Sequence, residues 1–153
     1  VLEKELAGRA ELAEETLDHL EGYRGSRPVR VGNGAAGQVQ LDTYGELLDA
    51  VYQFAQKGHV QRLDTGADVA KIADFVCDHW HEPDSGIWEE RAEPRHHTQS
   101  KAMCWVALDR ALALARADLV PSNHADRWMR EAAAIRRFLD THCWSSRKQS
   151  YVG

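Results

Sequence analysis

The sequence predicts an all-α chain of about four to five helices, and three observations carry that prediction. Apolar residues recur at spacings of three and four in several separate windows. The gaps between those windows hold the Gly, Pro, Ser and Asp that start and stop helices. The one glycine-rich stretch is short, so extended backbone is expected only in a small segment near residues 23–33.

Taken in chain order, residues 3–18 show a helical period through Leu2, Leu6, Ala13 and Leu17, which predicts a first helix. Residues 21–34 break the period. Gly22, Gly25, Gly32 and Pro28 exclude a helix, and Val29-Arg30-Val31 reads as a short extended piece between turns. Helix resumes over 36–56, where Leu41, Tyr44, Leu48, Val51 and Ala55 line up and Gly58 stands just past the end.

Residues 67–81 are the clearest helix. Val69, Ile72, Ala73, Val76, Cys77 and Trp80 share one face, Asp64 or Thr65 can cap the start, and Pro83 follows the end. The segment 98–118 places Cys104, Leu108, Ala111, Leu112, Ala115 and Leu119 in register. The segment 122–142 does the same with Trp128, Ala132, Ile135 and Leu139, with Ser122 as its expected cap. The tail 147–153 reads as extended. Second apolar stripes, Leu47, Ala50 and Phe54 on one helix and Met103 and Val106 on another, belong to helices placed inside a larger helical array.

The bulk numbers exclude several function classes. A chain of 153 residues suits one domain with a real core. A formal charge of −5 argues against a nucleic-acid surface, which needs a basic face. No apolar run approaches a membrane span and no signal-peptide layout is visible, so no membrane association is expected. Cys77, Cys104 and Cys143 are widely spaced and odd in number, which suits buried free thiols in a reducing cytoplasm.

The chemistry concentrates in residues 84–101, a connection between two helical patterns. Trp88 directly precedes Glu89 and Glu90, with Glu93, Arg91, Arg95 and Lys101 nearby. An indole and a second carboxylate can raise a carboxyl's pKa into the range of a general acid. An exposed acidic turn with Trp88 as a core anchor has the same composition, and composition alone favours it.

Other constellations are weaker. Cys77-x-His79-x-His81 resembles a metal tract, but those positions do not converge at a helix end. The two histidines there read as favourable charges at a helix C-terminus, and no metal or cofactor is expected. His96 and His97 suit anion binding or capping of the following helix. Glycines 32, 34 and 37 lack the Lys-Ser/Thr of a phosphate loop. Asp42 and Glu46 are four apart on one helix, a like-charge pair that costs stability unless a polar cavity or nearby cations explain it.

Three blocks together resemble family 15 of the glycoside hydrolases, the glucoamylase and bacterial trehalase-like group. They are Gly22-Tyr23-Arg24-Gly25-Ser26-Arg27-Pro28-Val29-Arg30-Val31-Gly32-Asn33; Gln40-Leu41-Asp42-Thr43-Tyr44-Gly45-Glu46; and Gly86-Ile87-Trp88-Glu89 continuing through Pro94-Arg95-His96, Ser100-Lys101 and Trp105–Ala111. The resemblance implies a six-hairpin (α/α)6 barrel with a sugar pocket at one end, and hydrolysis of an α-glucosidic bond with inversion. It puts Glu89 where the general acid stands and Trp88 and Asp42 near the pocket. Glu90 falls where fungal members contact the sugar, and bacterial members often lack a carboxylate there.

The implied general base is a glutamate on a much later helix, which these residues do not include. Residues 1–153 are therefore expected to be a single incomplete segment of the barrel, carrying the acid without the base. The implied partner is an oligosaccharide or disaccharide substrate. A rival expectation is a non-catalytic carbohydrate-binding or oligomerisation module that self-associates through exposed inner helices. A helical-barrel lyase or uronyl hydrolase fits the Trp-Glu block poorly.

Overall fold

The structure is a computed structural model that describes residues 14–35, 37–59, 65–88 and 92–152. Among them are four α-helices: α1 (Asp42–Phe54), α2 (Gly66–His79), α3 (Thr98–Arg116) and α4 (Ala125–Phe138). The only strands described are two-residue pieces, β1 (Glu15–Thr16), β2 (Arg30–Val31), β3 (Trp144–Ser145) and β4 (Ser150–Tyr151). The chain is mostly helical, as the sequence predicts. The chain divides into two units, residues 1–38 and 39–153.

In the first unit β1 pairs antiparallel with β2, Glu15 opposite Val31 and Thr16 opposite Arg30. The Leu17 N–H extends the ladder to the Val29 carbonyl at 2.8 Å, and Arg30 pairs with Glu14 at 3.0 Å. This corrects the helix expected over 3–18. Its described part, residues 14–18, is extended or turn, because a partner strand distant in sequence claims its backbone groups; residues 1–13 lie outside the described residues.

The second unit is built around α3, which packs against α1, α4 and α2. Its buried residues Cys104, Ala107, Leu108, Ala111, Leu112, Leu114 and Ala115 cover more than one face, as a central helix requires. The α1 seam contributes Leu41 and Leu48, the α2 seam Val69, Ala73 and Val76, and the α4 seam Trp128, Ala132 and Ile135. Fully burying a Leu or Ile of this kind stabilises by ~1.5–3 kcal/mol. The approach of α1 to α3 is close enough to require glycine. A Cβ on Gly45 would lie 2.2 Å from the Met103 carbonyl oxygen.

Polar pairs lace α2 to α4. The Trp128 indole N–H donates to Asp74 at 2.8 Å, and the Trp80 indole N–H donates to Glu131 at 2.8 Å. His124 meets the other Asp74 oxygen at 2.7 Å, and Arg127 pairs with Asp78. Burial opposes ionisation of Asp74, but the hydrogen bonds from Trp128 and His124 together outweigh it and hold its carboxyl below the usual range.

Three boundaries differ from expectation. Helix α1 starts at Asp42 rather than near 36, because Asn33 Oδ1 accepts the Ala35 N–H and a turn joins Gln38 N–H to the Ala35 carbonyl. Helix α4 starts at Ala125, and Ser122 serves through its backbone carbonyl rather than as a side-chain cap. The tail forms a tight hairpin: β3 and β4 pair around a turn at 146–149, so only its end is extended. Gly58, by contrast, takes the positive φ (72°) expected of a residue closing a helix.

The second stripe on α1 is exposed among the described residues, with Leu47 at 46% and Phe54 at 58%. A groove of about 450 Å³ runs beside it, lined by Glu46, Asp49, Ala50, Gln53, Phe54, Lys57 and Met103. No helix among the described residues is long and apolar enough to cross a membrane.

Candidate active site

The candidate segment, residues 84–95, is closed at its neck. The Asp84 N–H donates to the Arg95 carbonyl and the Arg95 N–H to the Asp84 carbonyl, both at 3.0 Å. This antiparallel bridge stands between the end of α2 and the start of α3. The Ser85 N–H donates to the Val39 carbonyl at 2.9 Å, which ties the neck to the chain entering α1. Gly86 then turns the backbone with φ 65°, and a Cβ there would sit 3.0 Å from the His97 ring. Only glycine satisfies both the backbone angle and that contact.

Beyond the turn, Ile87 and Trp88 project outward, Trp88 at 83% exposure. The indole is therefore no core anchor, and that alternative for the segment is corrected. A loop with a fixed neck presents a wide aromatic face to solvent. Glu89 and Glu90 lie outside the described residues.

Beneath the neck lies a group of buried polar residues. Asp84, Ser100 and Lys101 are 0% exposed and Asp42 is 3% exposed. Asp84 Oδ2 accepts the Leu41 N–H at 3.2 Å, and this bond replaces a helical partner at the residue that caps α1. The Asp42 Oδ2 atom accepts from Gln99 at a long 3.4 Å. Lys101, in the first turn of α3, donates its ammonium to the Glu82 carbonyl. Burial draws the Lys101 pKa down from the usual lysine range, while nearby negative groups, Asp84 and Glu82 among them, pull the other way.

Among the described residues, Asp42 Oδ1, Asp84 Oδ1 and Ser100 Oγ are buried without a hydrogen-bond partner. Such atoms cost ~1–3 kcal/mol each when left unpaired, so their presence together makes this group the candidate for a polar contact. Asp42 stands at the N-terminus of α1, where a carboxylate is also favoured by the helix dipole. It and Trp88 belong to one unit, and neither lines the α1 groove.

The remaining candidates have structural settings. Desolvation, and then the Lys101 charge, hold His96 below the usual histidine range, and its ring lies 5.4 Å from that of Phe138. His79 Nδ1 meets Glu82 at 3.1 Å in the last turn of α2. Burial pushes the Cys77 and Cys104 thiols up to about 12, which leaves them protonated and unreactive; all three cysteines are free and buried.

Sequence reasoning took Lys101 as one cation of the loop, named Ser100-Lys101 only as part of a resemblance block without a role, and gave Asp84 no role. A signal was present for the lysine. Positions 101, 104, 108, 111 and 115 form one continuous helical seam, so a charge at 101 stands on the buried side.

The family model described as Glycosyl hydrolases family 15 matches residues 5–152, nearly the whole sequence. The chain belongs to that family. Its helical content and short strands are those of part of the family's helical barrel domain.

Among curated relatives, "Trehalase" of Mycolicibacterium smegmatis is 48% identical over 132 residues, covering 86% of this chain and 20% of the relative. "Trehalase" of Mycobacterium tuberculosis is 41% identical over 142 residues, covering 93% and 21% respectively. "Trehalase 1" of Sulfolobus acidocaldarius is 40% identical over 112 residues, covering 72% and 20%. The chain thus spans about a fifth of the length of these relatives. No solved structure matches it.

Proposed function

We propose that this chain is the proton-donor segment of an inverting α-glucosidase that hydrolyses trehalose. The observation that carries the reading is the pinned loop, which displays Trp88 one residue before a carboxylate in a chain of family 15. Glu89 protonates the departing glycosidic oxygen. Trp88 stacks on a glucose ring, and Glu90 contacts the sugar beside it. Asp42, with one buried oxygen unpartnered, accepts a sugar hydroxyl. The general base, which activates water on the opposite face, comes from sequence beyond these 153 residues. An inverting pair requires ~6.5–9.5 Å between its carboxyls. The names of the relatives favour trehalose over starch-type oligosaccharides, and the free buried thiols suit a cytoplasmic setting.

The product's stereochemistry tests this. Full-length protein carrying the segment is mixed with trehalose, and the first products are followed by proton NMR. Inversion at one anomeric carbon yields α- and β-glucose in equal amounts. Two α-glucose molecules reject inversion, and no cleavage rejects trehalose as substrate.

The exposed Leu47 and Phe54 stripe favours a second reading, self-association of the 153-residue chain through α1. Light scattering of the purified chain then gives at least a dimer, and a stable monomer discards this reading.

A further inference from the structure

We propose that Gln99 is a substrate-binding residue that works with Asp42, the two together gripping neighbouring hydroxyls of one glucose unit. The proposal rests on the reading of trehalose as substrate and of Asp42 as a sugar contact given above. Two helices bring the pair together. Gly45 stands one turn after Asp42 on α1, and Met103 stands one turn after Gln99 on α3, each on the same face as its partner. There the backbones approach so closely that a Cβ on Gly45 would lie 2.2 Å from the Met103 carbonyl oxygen. The start of α1 is fixed in turn by Asp84, whose Oδ2 accepts the Leu41 N–H at 3.2 Å. Across the gap so defined, Gln99 Nε2 donates to Asp42 Oδ2 at 3.4 Å.

That bond sets what the amide offers. A carboxylate oxygen here accepts, so it faces the N–H side of Gln99 and fixes which way the amide points. The second Nε2 hydrogen and the Oε1 oxygen are then left to meet another molecule. Asp42 Oδ1 is buried without a partner among the described residues. In the first turn of α3, Ser100 and Lys101 are fully buried and the Thr98 hydroxyl donates to the Val152 carbonyl, while Gln99 is exposed. Gln99 is therefore the outer member of the pair and Asp42, at 3% exposure, the inner one.

A glucose ring matches this array. Adjacent ring carbons carry hydroxyls, each able to donate one hydrogen bond and to accept others. One hydroxyl donates to the Asp42 carboxyl, and its neighbour meets the outward edge of the Gln99 amide. A cation at position 99 would claim the carboxyl with a strong charge-assisted bond, whereas the amide holds it through a long contact that a hydroxyl can displace. Gln99 moves no proton in this scheme, so its contribution falls on substrate affinity and on the choice of sugar.

The experiment measures kcat and KM for full-length protein carrying Gln99→Ala or Gln99→Leu, on trehalose and on analogues that lack the same hydroxyl on both rings. Gln99→Ala should raise KM for trehalose ~2–10-fold, the worth of one such hydrogen bond, with kcat near wild type. Wild type should disfavour the analogue without the contacted hydroxyl, because that analogue leaves the amide unpaired. On this analogue the variant should lose little, so the preference for trehalose over it shrinks by the same factor. An unchanged KM, a loss confined to kcat, or a rise of equal size on trehalose and every analogue overturns the proposal, since a merely structural role has no preferred hydroxyl. If Gln99→Ala yields no folded protein, Gln99→Leu, which keeps the bulk without the amide, decides by the same preference. Wild-type protein that cleaves no trehalose removes the underlying reading and this proposal with it. Wild type that cleaves trehalose, with variants that keep its KM and its preference, removes this proposal alone.

Discussion

Two polar regions of the helical unit, one on the partly exposed face between α2 and α4 and one buried beneath the loop neck, differ in how their groups are paired. Between α2 and α4, the polar groups find each other: Trp128 and His124 occupy the two oxygens of Asp74, Trp80 meets Glu131, and Arg127 meets Asp78. Beneath the loop neck, Asp42, Asp84 and Ser100 each keep a buried atom unpartnered among the described residues, beside a fully buried lysine. The first region behaves like a structural joint, where each donor has an acceptor and the gain is stability. The second carries buried polar atoms whose partners do not come from the described residues, as the proposed site would require. On that proposal the contrast separates residues that hold the helical segment together from those beside its site.

The predictions that break or sharpen this contrast differ in what they read. The largest effect falls on the loop. Glu89→Gln should lower trehalose turnover of the full-length protein by ~10²–10⁴-fold, the usual contribution of a general acid. Its melting temperature should stay within a degree or two of wild type on calorimetry. Next comes the joint. Trp128→Ala removes a fully buried indole and its bond to Asp74, at an expected ~3–5 kcal/mol in denaturant unfolding. The trehalose turnover per folded molecule of full-length protein should be unaltered. A joint variant that changed this turnover would erase the distinction.

The smallest effect is on pH dependence. The folded Asp74 carboxyl titrates below its unfolded range, so its contribution to stability is present above pH ~4 and lost as pH falls through the folded value. Asp74→Asn should lower the melting temperature at neutral pH and reduce its further fall below pH 4. Thermal scans from pH 3 to 7 check this, and an unchanged acid slope assigns the effect elsewhere.

Much of this was legible in the sequence, for reasons that can be named. The α2 and α4 seams were readable because their apolar positions keep a strict helical period and their polar positions face away. The 14–18 segment was misread because its local period also fits a helix, and only the distant pairing with Arg30–Val31 decides the matter. The end of the chain was misread in the same way, since a four-residue turn hides in what looks like an extended tail. Trp88 and Asp42 stood out from their neighbours, the indole before two carboxylates and the like-charge pair with Glu46, and resemblance then assigned them to the pocket; the pinned neck that carries Trp88 is visible only in three dimensions. Asp84 was missed because an aspartate after Pro83 and before Ser-Gly reads as a solvated turn. Lys101 was seen as a cation, but its place on the α3 seam was outweighed by the habit of lysine to face water.

The pH–rate profile of the full-length protein tests the central claim, that Glu89 donates the proton, most directly. A general acid produces an alkaline limb, because kcat/KM falls as pH rises through the donor's pKa. The wild-type profile on trehalose should show that limb, and the residual activity of Glu89→Gln should lack it. A Glu89→Gln profile that keeps the same alkaline limb would contradict the account, since some other group would then be giving up the proton.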